Sequence, residues 1–543
     1  MMVIIHDEWF DAIKAMLKED EREGFFGKYR WRAPKGKIKI AIDEWCDESL
    51  NKLHDFLDKK AEAGDGSAKM SRNLVKQWME IRRNPSGQIV TKLENLASAL
   101  TQYVVTSEHR YLFEQLEDGN MVPWFVEKIE YHEPSRYQSA RVEVHLEAVN
   151  TGREGGRRDG SGKSFHILAA DIVKRTPGQV LEYHGFYLET PERMVSYEKE
   201  VGKYLQFCGQ DGLQMSVTGK CHLIKGWSDS KFRNVEKSGR PAKMVIDPPE
   251  GKEQDASAVA CEFWKDKDED FLWQLPLQPV YDMFDLEEHA TYRVHVNNAE
   301  PYIYDKKVGD KLVLPKDIKD FIETLVEHSK NSFMDIVGGK EGGTIILLQG
   351  PPGTGKTLSA EVYSEVMERP LYKVQSSQLG LDVEKVEENL KIVLRRAERW
   401  SAILLIDEAD VYIHERGDDI QQNAIVGVFL RVLEYYRGVL FMTTNRGTII
   451  DDAIVSRVTA RFRYKSPDPD DQYRLWKVLS EQNGINLPDS EVRLIVQSHP
   501  KLSGRDIKNL LKLAFVASLK KGEPVDAGLI TYVARFKQSE NPK

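Results

Sequence analysis

A glycine-rich turn in the second half of the chain constrains the fold more than any other segment. Residues 344–357 have the sequence TIILLQGPPGTGKT, in which consecutive apolar residues predict a buried strand before the turn. The turn matches the spacing G-x-x-x-x-G-K-[ST], with Gly350, Gly355, Lys356 and Thr357 at the defined positions. A strand before such a turn and a helix after it are the context that a phosphate-binding loop requires.

Each residue type in this turn has a physical role at a phosphate. The glycines let backbone N–H groups approach phosphate oxygens, and the following helix presents its positive end to the same anion. Lys356 places a cation on the β- and γ-phosphates, and the Thr357 hydroxyl reaches Mg²⁺. An ordinary glycine turn would not require the lysine. The expected nucleotide-binding residues are Gly350, Pro351, Pro352, Gly353, Thr354, Gly355, Lys356 and Thr357.

The length and composition are typical of a soluble protein with several domains. The 543 residues are 41% hydrophobic and 30% charged, with a net charge of -9, so no general attraction to nucleic acid or anionic membranes is expected. The scattered cysteines Cys46, Cys208, Cys221 and Cys261 form no C-x-x-C and indicate reduced thiols. Without a long apolar run or a signal peptide, a cytoplasmic location with no membrane span is expected.

Residues 1–118 predict a helical N-terminal domain, because apolar residues recur with helical spacing from residue 7 to about 105. Within it, residues 71–100 predict a helix capped by Ser71, a turn at residues 84–86 and a leucine-faced helix. The first of these helices carries Arg72, Lys76, Arg82 and Arg83. The stretch resembles the recognition helix of repressor-type helix-turn-helix domains, which enters the major groove of DNA. A helical adaptor with a solvated basic face is the alternative.

Residues 119–300 predict a β-rich domain that binds a client or partner or supports assembly. Val142, Val144 and Leu146 alternate with polar residues, and so do Leu181, Tyr183 and, less cleanly, Phe186. Long polar loops are expected at residues 151–163 and 226–270, the second with a solvated charge run at 265–270. The sequence GSGKS at residues 160–164 lacks the first glycine and the preceding strand of a phosphate loop, so we interpret it as flexible loop.

Residues 301–466 predict a nucleotide-binding α/β domain, because strands near residues 345–348, 371–374, 403–406 and 439–443 alternate with amphipathic helices. Such alternation is typical of a doubly wound parallel sheet. Residues 467–543 predict a helical lid, in which Asp468 and Pro469 start one helix and Ser503 with Asp506 caps another.

Polar residues follow two of the buried strands, where ligands of parallel sheets lie. Asp407 is expected to hold Mg²⁺ through water and Glu408 to polarise the attacking water. Asn445, after the next strand, is expected to orient that water or contact the γ-phosphate. Arg457 and Arg461 are candidates for a charge supplied to a neighbouring subunit's nucleotide. Arg505, at the start of a lid helix, could reach back over the nucleotide.

Taken together, these motifs resemble those of AAA+ ATPases. GPPGTGKT at residues 350–357 resembles the family's Walker A motif, and ILLIDEAD at 403–410 its Walker B motif. TTNR at 443–446 and SGRD at 503–506 resemble its first and second sensors. Within this family, the sequence most resembles bacterial and fungal AAA proteins that contain a NAIVGVFLRVLEYYRGVLFMTTNR-like segment. The resemblance covers residues 301–543 and implies ATP hydrolysis with Mg²⁺, a hexameric ring that binds ATP between subunits, and mechanical work on a macromolecule.

Two departures from the family pattern qualify this expectation. Residues 378–382 contain no aromatic side chain where protein-threading members carry an aromatic-Val-Gly loop. The usual Arg-Pro-Gly-Arg finger is absent, and Ser456-Arg457 instead resembles the finger of clamp-loader relatives, which favours Arg457 over Arg461. The leading hypothesis is an oligomeric ATPase that remodels a protein client. A DNA-associated ATPase and a nucleotide-gated scaffold are the alternatives.

Overall fold

The computed structural model describes residues 2–17, 31–33, 37–42, 45–63, 65–83, 89–149, 161–224, 231–237, 239–247, 275–328, 343–380, 382–417, 419–445 and 450–536. Strands in these ranges form antiparallel sheets of three, five and seven strands and a parallel sheet of five. Short 3-10 helices span Asp7–Trp9, Val296–Asn298 and Lys306–Lys311.

The N-terminal region combines a small sheet with helices. Strands β1, β2 and β3 span Met2–His6, Trp31–Ala33 and Lys37–Ala41 and lie in the order β1-β3-β2. Helices α1 to α4 span Phe10–Lys14, Asp47–Glu62, Gly66–Arg83 and Leu93–Val105. The expectation of a wholly helical region therefore needs correction. The alternating sequence KIKIA of β3 has the period of a strand, and β3 pairs in register with β1.

The stretch that resembles a helix-turn-helix differs from the expectation at its start. Helix α3 begins at Gly66, so Ser71 lies inside it and is only 2% exposed rather than acting as a cap. Arg72 Nη1 donates to Asp58 Oδ1 at 2.6 Å, and Arg82 Nη1 donates to the backbone carbonyl of Trp45. Two of the basic side chains are thus engaged within the N-terminal region. The turn predicted at residues 84–86 lies outside the described residues.

A five-stranded sheet follows, in the order β7-β6-β5-β4-β8. Its strands span Tyr111–Gln115, Met121–His132, Arg141–Ala148, Ser161–Leu168 and Phe186–Leu188, numbered β4 to β8 in chain order. The strand predicted from Val142, Val144 and Leu146 is confirmed, and all three side chains are buried. Since β4 pairs directly with β5, the predicted boundary between residues 118 and 119 falls inside this hairpin.

Two expectations about the middle region are wrong. Leu181 and Tyr183 belong to helix α5, Pro177–Tyr183, and not to a strand. Thr176 caps this helix in a reciprocal pair with Gln179, and proline at its first position favours the helical backbone. The GSGKS sequence enters strand β7 instead of remaining a loop, and Lys163 there pairs with Glu114.

A seven-stranded sheet and helix α6, Pro191–Phe207, complete the middle region. Its strands β9 to β15 span Gln214–Val217, Lys220–Leu223, Lys231–Asn234, Ala242–Ile246, Val280–Asp285, Thr291–His295 and Ala299–Pro301, in the order β11-β10-β14-β13-β12-β9-β15. Strands β11 and β12 therefore interrupt the long loop predicted at residues 226–270, whose charge run lies outside the described residues. Cys208 is disulfide-bonded, which corrects the expectation of four reduced thiols, whereas Cys46 and Cys221 are free.

The parallel sheet of the next region has the order β17-β18-β19-β16-β20. Strands β16 to β20 span Thr344–Gln349, Leu371–Gln375, Ile403–Asp407, Val439–Thr444 and Ala460–Arg463. Helices α7 to α13 span Lys316–Glu327, Lys356–Val366, Ser376–Leu379, Val383–Arg399, Asp410–Ile413, Ile420–Leu433 and Asp452–Arg457.

Helices cover both faces of this sheet, as the doubly wound prediction required. Leu404 and Ile406 of β18 pack in one core with α10 and α12, whereas Ile403 and Leu405 pack in another with α7 and α8. Burial on both faces explains why these strands are continuous apolar runs without alternation.

Four helices form the C-terminal lid around a core of their own that includes Trp476. Helices α14 to α17 span Pro469–Gln482, Asp489–Ser498, Gly504–Lys521 and Ala527–Ala534. The predicted starts are confirmed, because Asp468 caps α14 and Ser503 forms a capping box with Asp506 at α16.

Candidate nucleotide site

The phosphate-type loop connects the carboxyl end of β16 to the start of α8. Residues 350–355 form the turn, and Lys356 is the first helical residue. The Lys356 side chain is 6% exposed, and its Nζ donates to the backbone carbonyls of Gly350 and Pro351 at 2.9 and 2.7 Å. Burial lowers the pKa of this ammonium from its ordinary value. The cation is therefore held inside the loop, aimed at the space that the loop encloses.

Two glycines of the loop have backbone conformations that other residues rarely adopt. Gly353 has φ +80° and Gly355 has φ +95°. A Cβ on Gly353 would also lie 2.8 Å from Ser503 Oγ and 3.0 Å from Arg505 Cβ. Pro351 and Pro352 are exposed at the tip, and Thr354 Oγ1 donates to the Pro351 carbonyl at 2.9 Å. The loop is therefore closed by internal bonds, with the lid directly against it.

Asp407, at the end of β18, lies beside the first turn of α8. Its Oδ1 accepts hydrogen bonds from Thr357 Oγ1 at 3.0 Å and from Thr443 Oγ1 at 2.6 Å, and its Oδ2 lies 3.1 Å from Lys373 Nζ. Burial alone would raise the pKa of this carboxyl, but these donors and the lysine charge outweigh it and lower the pKa below its ordinary value.

This donor set fits Mg²⁺. Thr357 and Asp407 offer a hydroxyl oxygen and an ionised carboxylate side by side, the hard oxygen ligands that magnesium prefers. The hydroxyl can keep donating to Asp407 while its lone pair faces the metal. Among the described residues, no group of three or more His, Cys, Asp or Glu side chains is arranged to hold a metal by itself. A site of this kind would therefore draw its remaining ligands from phosphate and water.

Glu408 is exposed and has a left-handed backbone, with φ +55°. This conformation costs an L-residue about 1–2 kcal/mol. Bonds on both sides of the peptide maintain it: Glu408 N donates to Thr443 Oγ1 at 3.0 Å, and Ser376 Oγ donates to the Glu408 carbonyl at 2.5 Å. Thr443 thus links the Glu408 backbone to the Asp407 carboxylate, and the Glu408 side chain remains exposed.

Asn445 comes directly after β19, at the same edge of the sheet, and its side chain is exposed. The preceding Thr444 donates from Oγ1 to Asp410 at the start of α11. Strand β19 lies between β16 and β18 in the sheet. Asn445 therefore leaves the sheet between the phosphate-type loop and the acidic turn, where a water attacking the last phosphate would lie.

The second-sensor sequence of the lid contacts the loop itself. A Cβ on Gly504 would lie 3.2 Å from the Gly353 carbonyl, and the Arg505 Cβ closes over Gly353 as described above. Arg505 is exposed and close enough for its charge to help lower the pKa of Lys356, after the larger effect of burial. The expected approach of Arg505 to the nucleotide site is therefore compatible with its position in the fold.

The two candidate finger arginines lie at opposite ends of β16. Arg461 is on β20, and its Nε donates to Gln349 Oε1 at 3.0 Å. Gln349 is the residue immediately before Gly350. Arg457 ends α13, and Thr459 just beyond it binds Ile345 at the amino end of β16. At roughly 3.3 Å per residue, the length of β16 separates Arg457 from the loop of its own chain. Arg457 therefore does not join the site within one protomer.

Sequence reasoning missed Lys373, Thr443 and Ser376 as parts of this site. Lys373 is a single lysine within strand β17, and nothing local distinguishes it from a surface charge. Only the pairing of β17 with β18, which sets Gln375 opposite Asp407, brings Lys373 within reach of the carboxylate. Thr443 was part of the TTNR motif, but its bond to Asp407 depends on the neighbouring strands β18 and β19.

A family model described as the ATPase family associated with various cellular activities (AAA) matches residues 346–466. This range includes the loop, the acidic end of β18, Asn445 and both finger arginines. The chain carries an AAA ATPase domain. The family resemblance and the fold inferred from the motifs are confirmed by this match.

Relatives of the AAA domain include ATP-dependent zinc metalloproteases and a mitochondrial sorting homolog. ATP-dependent zinc metalloprotease FtsH 1 of Petrotoga mobilis is 30% identical over 230 residues, which are 39% of this chain and 34% of that protein. The mitochondrial sorting homolog of Caenorhabditis elegans is 26% identical over 245 residues, 43% of this chain and 70% of that protein. The chain spans only 34% to 39% of the length of the first FtsH relatives that it matches.

Solved structures give likenesses over a similar share of the chain. A chain in the HORMA:CdnC:Trip13 complex of E. coli MS115-1 has a TM-score of 0.36 at 18% identity, covering 44% of this chain and 93% of that one. The FIGL-1 AAA domain in complex with ADP has a TM-score of 0.35 at 20% identity, covering 43% and 85%. In the described part of the chain, no helix has the length and apolar character needed to cross a bilayer.

The loop after β17 of the AAA domain is short, and hydrogen bonds to its backbone hold it in place. Helix α9 ends at Leu379, which is fully buried, and Gly380 follows with φ +92°. Tyr412 Oη donates to the carbonyls of Ser376 and Gly380 at 2.8 and 2.9 Å. The Tyr412 hydroxyl therefore holds the backbone at both ends of residues 376–380.

Proposed function

We propose that this chain is an ATP-hydrolysing, oligomeric AAA ATPase that remodels or disassembles a macromolecular client. The observation that carries the proposal is the convergence of Lys356, Thr357, Asp407 and Glu408 at one edge of the parallel sheet. A cation inside a glycine loop, an ionised carboxylate and a second acid on a strained turn are the parts that triphosphate hydrolysis needs.

In this proposal Lys356 binds the β- and γ-phosphates, and Thr357 with Asp407 holds Mg²⁺. Bound Mg²⁺ would offset the negative charge of the phosphates during transfer. Glu408 polarises the attacking water and Asn445 orients it, while Arg505 lies over the nucleotide from the lid. The lid contact at Gly353 would then couple nucleotide occupancy to the position of the lid helices.

The position of Arg457 supports a site completed by a neighbouring subunit. Arg457 lies at the amino end of β16, where it contacts Glu434 and the Ala453 carbonyl, whereas Arg461 is bound to Gln349 beside the loop of its own chain. In a ring, which the family resemblance implies is hexameric, Arg457 of one subunit would face the triphosphate of the next. Arginine supplied in trans stabilises transition-state charge and commonly accounts for ~10³–10⁵ in turnover.

The five- and seven-stranded antiparallel sheets are the proposed client or assembly region. The seven-stranded sheet is attached to the AAA domain through a buried hydrogen bond between Asp247 and Trp400, and the segment after β17 has no aromatic paddle. We therefore favour a client gripped by the N-terminal half and remodelled by movement of the ring, over threading by aromatic side chains.

The first test is Glu408→Gln in the full chain, with Glu523→Gln on the exposed lid surface as the control. Loss of water activation should reduce ATP turnover by ~10²–10⁴ and leave ATP binding intact, whereas Lys356→Ala should lose binding. Turnover at the parent rate in Glu408→Gln would contradict the assignment. The ATP-loaded Glu408→Gln protein would also retain its client for identification.

Subunit mixing tests the trans role of Arg457. Arg457→Ala and Glu408→Gln chains should each be inactive alone, and mixed oligomers should regain part of the activity. Both intact residues meet only at an interface where the Glu408→Gln chain supplies Arg457 to the site of the Arg457→Ala chain. If co-assembly is verified and no activity returns, the finger assignment fails.

Two alternatives make different predictions. A DNA-associated ATPase would bind DNA with strong salt dependence, but Arg72 and Arg82 are already engaged within the N-terminal region. A scaffold gated by nucleotide would act on its client equally with ATP and with a non-hydrolysable analogue. Comparing client release in the two nucleotides distinguishes remodelling from scaffolding.

A further inference from the structure

Lys373 is a cation placed on the one oxygen of Asp407 that the threonines leave open. Thr357 and Thr443 both donate to Oδ1, and Lys373 Nζ lies 3.1 Å from Oδ2. The Asp407 side chain is 18% exposed, whereas Lys373 keeps 35% exposure at the rim of the site. Hydrogen bonds with an ionised partner on each side are about twice as strong as neutral ones and fix the plane of a carboxylate.

We propose that Lys373 is a positioning residue for the magnesium site, which orients Asp407 and keeps its charge compensated before the metal arrives. The inference rests on the proposed function of Thr357 and Asp407 as metal-binding residues. Groups that hydrogen-bond to metal ligands orient them, and their loss typically costs ~10–100-fold in metal affinity.

The strand that carries Lys373 is held in place by packing against the seven-stranded sheet. Strand β17 is at the edge of the parallel sheet, and its Tyr372 ring packs against His289 and Phe284 of the seven-stranded sheet, at 5.4 and 5.8 Å between centroids. Register with β18 then fixes the backbone of Lys373 relative to Asp407. The lysine therefore reaches the carboxylate from a rigid strand, which suits a positioning role better than a loop would.

The experiment compares Lys373→Met, Lys373→Arg and a control, Lys391→Met, in the full chain. Lys391 is a helix-surface lysine that pairs with Glu387 four residues away, so the control removes the same charge elsewhere. Binding of a fluorescent ATP analogue is measured in EDTA and across a Mg²⁺ titration, together with the Mg²⁺ dependence of turnover.

Lys373→Met should bind nucleotide in EDTA as the parent does, because the phosphate contacts of Lys356 are intact. The Mg²⁺ concentration for half-maximal tightening should rise ~10–100-fold, with a smaller change in turnover at saturating Mg²⁺. Lys373→Arg should recover most of the loss, and Lys391→Met should behave as the parent. An unchanged or lower Mg²⁺ requirement in Lys373→Met overturns the inference, because a cation that merely repels the metal would give the lower value.

The variant Asp407→Asn distinguishes a failure of this inference from a failure of the proposed metal site on which it rests. If Asp407→Asn leaves the Mg²⁺ dependence unchanged, the proposed metal site itself is wrong. If Asp407→Asn weakens Mg²⁺ binding and Lys373→Met does not, only the role of Lys373 is refuted. If Lys373→Met fails to fold, Lys373→Arg and Lys373→Gln carry the same titration, and a parent-like Mg²⁺ requirement in Lys373→Gln overturns the inference.

Discussion

Asp247 joins the seven-stranded sheet to the AAA domain, and its replacement should weaken that junction strongly. Asp247 follows β12 and is 4% exposed. Its Oδ1 accepts from Trp400 Nε1 at 3.0 Å and pairs with Arg399, and its Oδ2 lies 3.7 Å from Arg396 Nε. One buried carboxylate therefore neutralises two cations and satisfies an indole at the end of α10.

The size of the effect follows from what each variant leaves behind. Asp247→Asn keeps an oxygen for Trp400 but removes the carboxylate charge that Arg396 and Arg399 share, while Asp211 still acts on Arg399. Removing one partner of a buried pair costs ~3–5 kcal/mol. Because Arg399 and Arg396 retain 16% and 26% exposure, water compensates them partly, and we expect about 3 kcal/mol. Asp247→Ala also leaves the Trp400 N–H without its acceptor, which adds ~1–2 kcal/mol.

Differential scanning calorimetry of the full chain measures the effect. At ~2–4 °C per kcal/mol for a region of 150–250 residues, Asp247→Asn should lower the AAA transition by ~6–12 °C, and Asp247→Ala further. Asp310→Asn removes the same charge from an exposed site and should change the midpoint little. An Asp247→Asn midpoint within ~2 °C of the parent, or Asp247→Ala no lower than Asp247→Asn, would refute this reasoning.

Two further predictions follow from glycine packing and from a buried histidine. Gly353→Ala should weaken ATP binding at least ~10-fold, since its Cβ would meet the lid at Ser503, whereas Gly427→Ala, with open space on α12, should bind ATP as the parent does in the same titration. Burial lowers the pKa of His295 to about 4. As the pH falls from 6.5 towards 4, the imidazole is therefore protonated in the unfolded chain before it is protonated in the folded one. The free energy of unfolding should fall by ~3 kcal/mol over this range. His295→Asn should flatten this part of the curve in urea unfolding; an unchanged slope would contradict the assignment.

The parts of the site that sequence could predict are those encoded by local patterns. The loop, the acidic end of β18 and the lid cap are each contiguous motifs, and a parallel sheet must bring strand ends to one edge. Lys373 and Asp247 lie in no such pattern, and only strand register or docking brings them to partners that are 34 and 149 to 153 residues away. Membership of a contiguous motif, and not distance along the chain, therefore distinguishes Asp407 and Thr357 from these two missed residues.

The secondary-structure predictions that failed relied on a short pattern and overlooked a stronger signal nearby in the sequence. The period-two pattern of Leu181 and Tyr183 covers too few residues to define a strand, whereas Thr176, Pro177 and Gln179 form a helix start. Ser71 satisfied the preference for a cap, but the helix had already begun at Gly66. Ser71 is buried in the tertiary structure, and a buried position within a helix cannot also be the solvent-exposed start of that helix.

The docking of the seven-stranded sheet bears on how nucleotide could move a client. Lys243 and Tyr302 of this region both bind Glu365, near the end of the helix α8 that begins with Lys356. Phe284 packs on Trp400 and Tyr372, beside the strand that carries Lys373. The sheet thus contacts both α8, which begins at Lys356, and β17, which carries Lys373. We expect a shift of α8 or β17 on hydrolysis to be transmitted to the sheet through these side-chain contacts, of which Phe284, Tyr372 and Trp400 are buried.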